Sequence, residues 1–410
     1  MSDVLRLPGL VDVHVHLREP GQTDKEDFST GTRAALAGGF TTVLDMPNNA
    51  LPITTPERLE EKIALAREKT MCDIGFHYGS LGDNLDTFAE GAKHAVGLKV
   101  YLNNTTGGYT LDPARLKEIY AAWPRNQVVL LHTEEDTIDI AMASLEGLDR
   151  PVHICHMPSR AVLEKIIAAK QKGLPVTCGV TPHHLFLTED DVSRLGVYGM
   201  MKPPLKTQAD QDFLWAHLDD IDIFESDHAP HTHADKQAGA FGVPNLETTL
   251  PLLLKARAEG KITLEQIIDK CFTKPSEIFG LSTDESTYVE VKMEPYVIQN
   301  EGLQTKCGWS PFAGTEGADT GSSASADDPA AFAHQLRCAS PSRCGRTSIP
   351  GGRSLPAVCS TTSMTLAPTT RSPLAMESRV PTGIGVGTSR YPERASTRAS
   401  RTRLPSGRPR

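Results

Sequence analysis

Eight short β-rich runs, separated by stretches of helical periodicity and by loops, constrain this chain more than any other feature. They are LVDVHVHL (10–17), TTVLDM (41–46), CDIGFHYG (72–79), GLKVYL (97–102), VVLLHTE (128–134), VHICHM (152–157), PVTCGVT (175–181) and DIFESDHA (222–229). The connecting segments TPERLEEKIALAREK (55–69), LDPARLKEIYAAW (111–123) and RAVLEKIIAAKQKG (160–173) carry apolar residues at helical spacing and end near Gly, Pro or basic residues. Repeated strand–helix alternation predicts an α/β fold. Eight units, with no G-x-G-x-x-G after the first run, fit a (β/α)8 barrel better than an open doubly wound sheet. In a barrel the chemistry gathers at the C-terminal ends of the strands.

Composition bounds the rest. The chain has 410 residues, a net charge of -9 and 39% hydrophobic residues, enough for one large core. It has no apolar run long enough to span a bilayer, and MSDVLRLPGL lacks the basic-then-apolar pattern of a signal peptide, so a soluble cytoplasmic protein without a membrane partner is expected. The acidic balance disfavours nucleic acid as a partner, and the eight Cys form no paired framework.

The average hides a break near Gly314. Residues 1–314 hold 29 basic and 45 acidic side chains, whereas residues 315–410 hold 13 Arg, no Lys and 6 acids. Ser, Thr, Pro and Gly fill 46 of those last 96 positions, and Phe332 and Tyr391 are the only aromatics among them. Such a low-complexity segment buries too little to offset its ordering entropy, which predicts disorder, the other reading being a basic tail for an acidic partner. The switch from a body with 18 Lys to a tail with none suggests an altered reading frame or an unrelated extension.

Candidate chemistry sits at the strand ends. His14 and His16 lie two apart, so a strand period of two points both imidazoles to one face. Two buried imidazoles on one face each need partners, which favours metal ligation over a structural role. Lys99, His132, His156 and Asp227 fall at corresponding places in later runs. Together they would be a costly uncompensated cluster unless divalent ions made them ligands. By position alone, Lys99 is either carbamylated into an anionic ligand or a lysine with its head at the rim.

At these residues the chain resembles a known family. DVHVHLREPG (12–21), MPN (46–48) and SDHAPHTHADK (226–236) look like the signatures of dihydroorotases, cyclic amidohydrolases of pyrimidine biosynthesis, and above all of the dihydroorotase domain of the animal multifunctional type. The likeness covers about residues 4–314. It implies an amidohydrolase-type barrel over 1–285, the start of a small β-rich appendage over 286–314, and an unmatched tail over 315–410. It also implies two zinc ions per subunit, with His14, His16, carboxylated Lys99 and Asp227 on one, and the same carbamate with His132 and His156 on the other. A zinc-bridged hydroxide would attack the ring amide of L-dihydroorotate, and Asp227 would shuttle the proton to the ring nitrogen; the reverse closes N-carbamoyl-L-aspartate.

The resemblance further implies that Arg18, Asn48 and His231 hold the substrate carboxylate and that Thr105 or Thr106, in NNTTGGYT (103–110), closes over it. Without it, Arg18 reads as a surface ion pair, Asn48 and His231 as turn and loop residues, and the threonines as a plain connection. Hydantoinase, dihydropyrimidinase or allantoinase activity is the enzymatic alternative, and a silent barrel that scaffolds aspartate transcarbamoylase is the non-enzymatic one. A homodimer is a family expectation. The animal-type relatives have an acid in the strand that here reads VTCGVT, but this chain has Gly179, so Cys155 is expected to be a buried structural thiol rather than part of a third metal site. At most one of His183 and His184 should point inward, and His77, His153, His228 and His233 are expected to be structural or exposed.

Overall fold

The computed structural model describes residues 4–105, 110–282, 287–293 and 296–316, plus the backbone of short strand pieces at 337–339, 348–349 and 353–354. Thr106 and most of the expected tail lie outside the described residues, as does the whole of a second compact unit, Ala367–Arg410. The first unit, Met1–Leu366, holds everything that follows.

Strand β1 (Val4–Pro8) stands apart from the barrel. The barrel strands are β2 (Leu10–Val15), β3 (Phe40–Asp45), β4 (Asp73–Gly79) and β5 (Gly97–Tyr101), then β6 (Val128–His132), β7 (Val152–Ile154), β8 (Val176–Val180) and β9 (Ile223–Phe224). They pair in chain order and all in parallel, the expected (β/α)8 arrangement. The ring closes through a parallel bridge between Val15 and His228, where His16 N donates to His228 O at 2.8 Å. Ser226 N adds a bond of 3.2 Å to the buried Asp12 carboxylate. The expected appendage from the chain ends is β1 paired antiparallel with β10 (Tyr288–Lys292), from Val4↔Lys292 to Pro8↔Tyr288, with β11 (Arg337–Ala339) on the other side of β10.

The helices follow from local chemistry. Over Pro56–Arg67, Thr55 caps the first turn by accepting from Arg58 N, Pro56 sits where its missing N–H costs nothing, and Leu59, Ile63 and Ala66 bury one face. Over Arg160–Gln171, Ser159 caps, and Val162, Leu163, Ile166 and Ala169 face the sheet.

Period two sorts each strand between two apolar cores. Val129 and Leu131 of β6 join the layer beneath the helices, with Leu98, Val100, Ile154 and Val180. Val128 and Leu130 turn the other way and meet Val11, Val13, Leu44, Ile223 and Phe279 in a second cluster. Phe279 comes from the helix Lys274–Phe279, so this cluster plugs the inside of the barrel.

The strands end earlier than their sequence runs. β7 stops at Ile154 and β9 at Phe224, short of the expected 157 and 229. The backbone leaves the β region there: His156 has φ 37° and Asp227 φ 45°, and Arg18, past the end of β2, has φ 65°. Left-handed φ is uncommon for residues with a Cβ and costs on the order of 1–3 kcal/mol each, so these bends are held by their surroundings.

Candidate metal centre and substrate cavity

Each functional side chain is delivered by the end of a strand. His14 sits beside a register irregularity between Asp12 and Val15 in β2, where Val13 enters the inner apolar cluster while His14 reaches toward the acids of the last strand. The bulge thus does part of what simple alternation was expected to do. His14 Nε2 lies 3.2 Å and His16 Nε2 3.0 Å from Asp227 Oδ1. The His14 ring centroid is 5.2 Å from that of His16 and 5.0 Å from that of His156, and His132 Nδ1 lies 3.0 Å from His156 Nε2. His14, His16, His132, His156 and Asp227 therefore come together, all buried.

Their protonation suits a cation. Burial holds His14, His16 and His156 well below the usual imidazole range and lowers His132 in the same direction, so these rings are neutral with lone pairs to offer. Burial pushes Asp227 up to about 7. Donor atoms of His14, His156 and Asp227 lie within 4.8 Å of one another, and so do those of His14, Cys155 and Glu225. His14 Nδ1, His156 Nδ1 and Glu225 Oε2 are buried without a hydrogen-bond partner. Neutral nitrogens and carboxylate oxygens in a dry site fit a divalent metal such as zinc.

The expected pair of zinc ions bridged by a carboxylated Lys99 is overturned. Neither group of converging donors contains a lysine. Lys99, fully buried, brings Nζ to 3.1 Å from Cys155 Sγ and 4.9 Å from the centre of the Tyr101 ring, so its head is engaged by a thiol and a ring face. The carboxylate in this chamber is that of Glu225. It lies two residues before Asp227 and directly after β9, in the same ESDHA run of the sequence. Cys155 is buried as expected, and burial pushes its thiol up to about 12, but it also belongs to the second group of converging donors, with His14 and Glu225.

A cavity opens beside these groups, lined by Arg18, Asn48, Tyr101, Thr105, Lys202 and Phe241 in addition to the imidazoles and Asp227. Asn48 Oδ1 accepts from His16 Nδ1 at 2.7 Å, tying an expected substrate contact to one of the clustered imidazoles. Arg18 is buried, its Nε donates to Pro230 O at 3.1 Å, and its Nη2 lies 3.1 Å from His231 Nε2. His231 does not line the cavity and instead backs Arg18; its Nε2 also lies 2.9 Å from Phe241 O, and its Nδ1 3.4 Å from Lys25 Nζ. Burial, then Arg18 and Lys25, keep that ring neutral. Tyr101, Lys202 and Phe241 were not legible as site residues, although Tyr101 lies two residues after Lys99 on one strand. His183 and His184 are both buried: His183 Nδ1 lies 2.9 Å from Asn245 Nδ2, and His184 Nε2 3.2 Å from Pro203 O.

Known proteins resemble this chain in sequence and in fold. The Amidohydrolase family profile matches residues 5–285. The multifunctional protein CAD of Squalus acanthias is 44% identical over 318 residues, 76% of this chain, which spans only 14% of that protein. The dihydroorotase of Pyrococcus abyssi is 36% identical over 75% of this chain and 78% of its own length. Among solved structures, L-hydantoinase (dihydropyrimidinase) from Arthrobacter aurescens superposes with a TM-score of 0.73 at 23% identity, over 77% of this chain and 82% of that one, a likeness of fold. Among the described residues no helix is long and apolar enough to cross a membrane. A buried cation-holding cluster at the mouth of such a barrel belongs to a metal-assisted cyclic amidohydrolase, and with these matches the chain is a member of the amidohydrolase family, an enzyme closely related to dihydroorotases.

Proposed function

We propose that this enzyme opens and closes a cyclic amide whose ring bears a carboxylate, L-dihydroorotate, giving N-carbamoyl-L-aspartate. The observation that carries this reading is Arg18. Two of its three guanidinium nitrogens are held by Pro230 O and His231, which leaves the third for a ligand in the cavity it lines. A buried planar cation aimed into the cavity suits a carboxylate. Asn48 and Thr105 line the same cavity as further polar contacts, and His231 holds the guanidinium from behind.

A divalent cation on His14, His156 and Asp227, with His16 and His132 beside them, supplies Lewis acidity at the amide when bound. The chain's own residues do the rest. Asp227 can take a proton from the attacking water and return it to the departing ring nitrogen, and the reverse order serves cyclisation. Arg18 fixes the ring through its carboxylate, and the buried walls exclude bulk water.

The wider alternative, a hydantoinase- or dihydropyrimidinase-type amidase, draws support from the shared fold and needs no ring carboxylate. Assay of the purified, zinc-supplied chain on L-dihydroorotate, hydantoin and dihydrouracil separates the two. Turnover of dihydroorotate should dominate, and Arg18→Ala should lower kcat/KM for it by roughly 10²-fold or more while sparing hydantoin. A preference for hydantoin that survives Arg18→Ala would replace the proposed substrate, and no turnover by a folded, zinc-loaded chain would favour a silent scaffold. Assembly with a second copy or with aspartate transcarbamoylase belongs to the same proposal; light scattering of the chain with and without that enzyme tests it.

A further inference from the structure

We propose that Glu225 is the positioning residue of the metal centre: seated over Gly179, it accepts the backbone N–H of His156 and sets its other carboxylate oxygen against His14 Nδ1, and so aims both imidazoles at the cation. The proposal rests on the metal-binding reading of that cluster and adds what holds the donors in place.

Glu225 follows β9 directly and is fully buried. Its Oε1 accepts from His156 N. Its Oε2 lies 3.4 Å from His14 Nδ1 and 3.5 Å from His153 Nε2, ion-pair approaches at which none of the three atoms makes a hydrogen bond. A buried carboxylate oxygen needs a donor, and these two ring nitrogens are its only ion-pair neighbours among the described residues. With the proton on Nδ1, His14 turns the lone pair of Nε2 toward Asp227 Oδ1, 3.2 Å away, an approach of two electron-rich atoms that a cation between them stabilises. With the proton on Nε2 instead, His14 would bond Asp227 directly and be lost as a ligand.

The second contact fixes a backbone. His156 sits at φ 37°, where a residue with a Cβ rarely rests, and the bond from its N–H to Glu225 is what the structure offers to hold it there. One carboxylate thus orders a donor from β2 and the strained residue past β7.

Gly179 makes the seat. It lies in β8, and a Cβ built on it would stand 2.5 Å from Glu225 Oε1 and 2.6 Å from Cδ. No real Cβ tolerates such contacts, so the carboxylate occupies the space that a side chain at 179 would fill. Residues 179 and 225 are therefore coupled: one supplies the volume and the other the charge. Cys155 borders the same chamber, but its sulfur is met by Lys99 Nζ at 3.1 Å, which favours a proton over a second cation between His14 and Glu225.

The test measures zinc affinity by chelator competition on the purified full chain, zinc stoichiometry, and the His14 tautomer by long-range ¹H–¹⁵N NMR. Glu225→Ala should weaken zinc binding by about 10–100-fold and shift His14 away from the Nδ1–H form. Gly179→Ala should weaken it too while Glu225 is still present. The exchange Glu225→Ala with Gly179→Glu returns a carboxylate to the same chamber and should recover affinity to within roughly threefold of the parent. A merely structural role would lower the melting temperature of the metal-free chain without moving zinc affinity or tautomer. Parental affinity in Glu225→Ala would therefore overturn the proposal. So would a second zinc with a sulfur-to-metal band after cobalt substitution, which would put a cation where the proton is assigned. Failure of the parent chain to bind zinc would instead overturn the metal-centre reading itself.

Discussion

The two ends of the barrel are built from the same strands by opposite rules. Inside, the strand residues Val11, Val13, Leu44, Val128, Leu130 and Ile223 form an apolar plug with Phe279 of the helix Lys274–Phe279. A few residues further along, His14, His132, His156 and Asp227 crowd neutral nitrogens around an acid, and three residues with side chains, Arg18, His156 and Asp227, sit at positive φ. The plug gains free energy from burial, about 25 cal/mol for each Å² of apolar surface. The mouth spends some of that surplus on strain and desolvated polar groups. Stability and chemistry are separated along the length of each strand.

Substitutions at either end should break that separation in different currencies. The largest effect belongs to Asp227→Asn, which should cut kcat by about 10²–10⁴-fold at matched metal content while the melting temperature changes little, as read by a steady-state assay beside a thermal melt. At the plug, Leu130→Ala should cost about 2–5 kcal/mol in urea unfolding and leave the turnover of the folded fraction near that of the parent. If this variant lost activity per folded molecule instead, the two ends would not be independent.

A third effect tests a place outside both. Glu247 accepts from Gln304 N and Thr305 N, and burial pushes it up to about 7 from an ordinary value of 4.5. Between those values the folded chain binds more of this proton than the unfolded chain does. Its contribution to stability is therefore present below about 4.5 and lost as pH rises through about 7. The advantage of the parent over Glu247→Gln should shrink by about 1–3 kcal/mol across that window, as followed by urea unfolding of the metal-free protein. The smallest effect concerns strain: His156→Gly should unfold about 1 kcal/mol later than His156→Ala, because glycine accepts φ 37° freely. Equal stabilities would mean that the bend carries no strain.

Much of the plug and little of the mouth's geometry was legible in the sequence. Val128 to Leu131 announce a strand through β-branched and apolar neighbours, and their alternation is what the two cores require. The strand ends were read too long because propensity does not register that His156 and Asp227 leave the β region under tertiary constraint. Motif spacing brought His14, His16, His132, His156 and Asp227 to one place. It did not foresee that Lys99 meets Cys155, since that contact depends on which strands neighbour each other around the ring. Chemistry is assured at the level of metal-assisted cyclic amide hydrolysis, whereas the bridged two-zinc centre came from resemblance and does not survive. Glu225 carries no such signal, because it lies one residue before Ser226, where the recognisable motif begins.

The seam between Val15 and His228 has a bearing on biosynthesis. During translation more than two hundred residues separate the first imidazoles from the aspartate they face, so the ribosome releases the histidines long before their acidic partner exists. Ion capture by the complete triad must wait until the final stave is laid against the first, which makes metal uptake a clock for the end of barrel assembly.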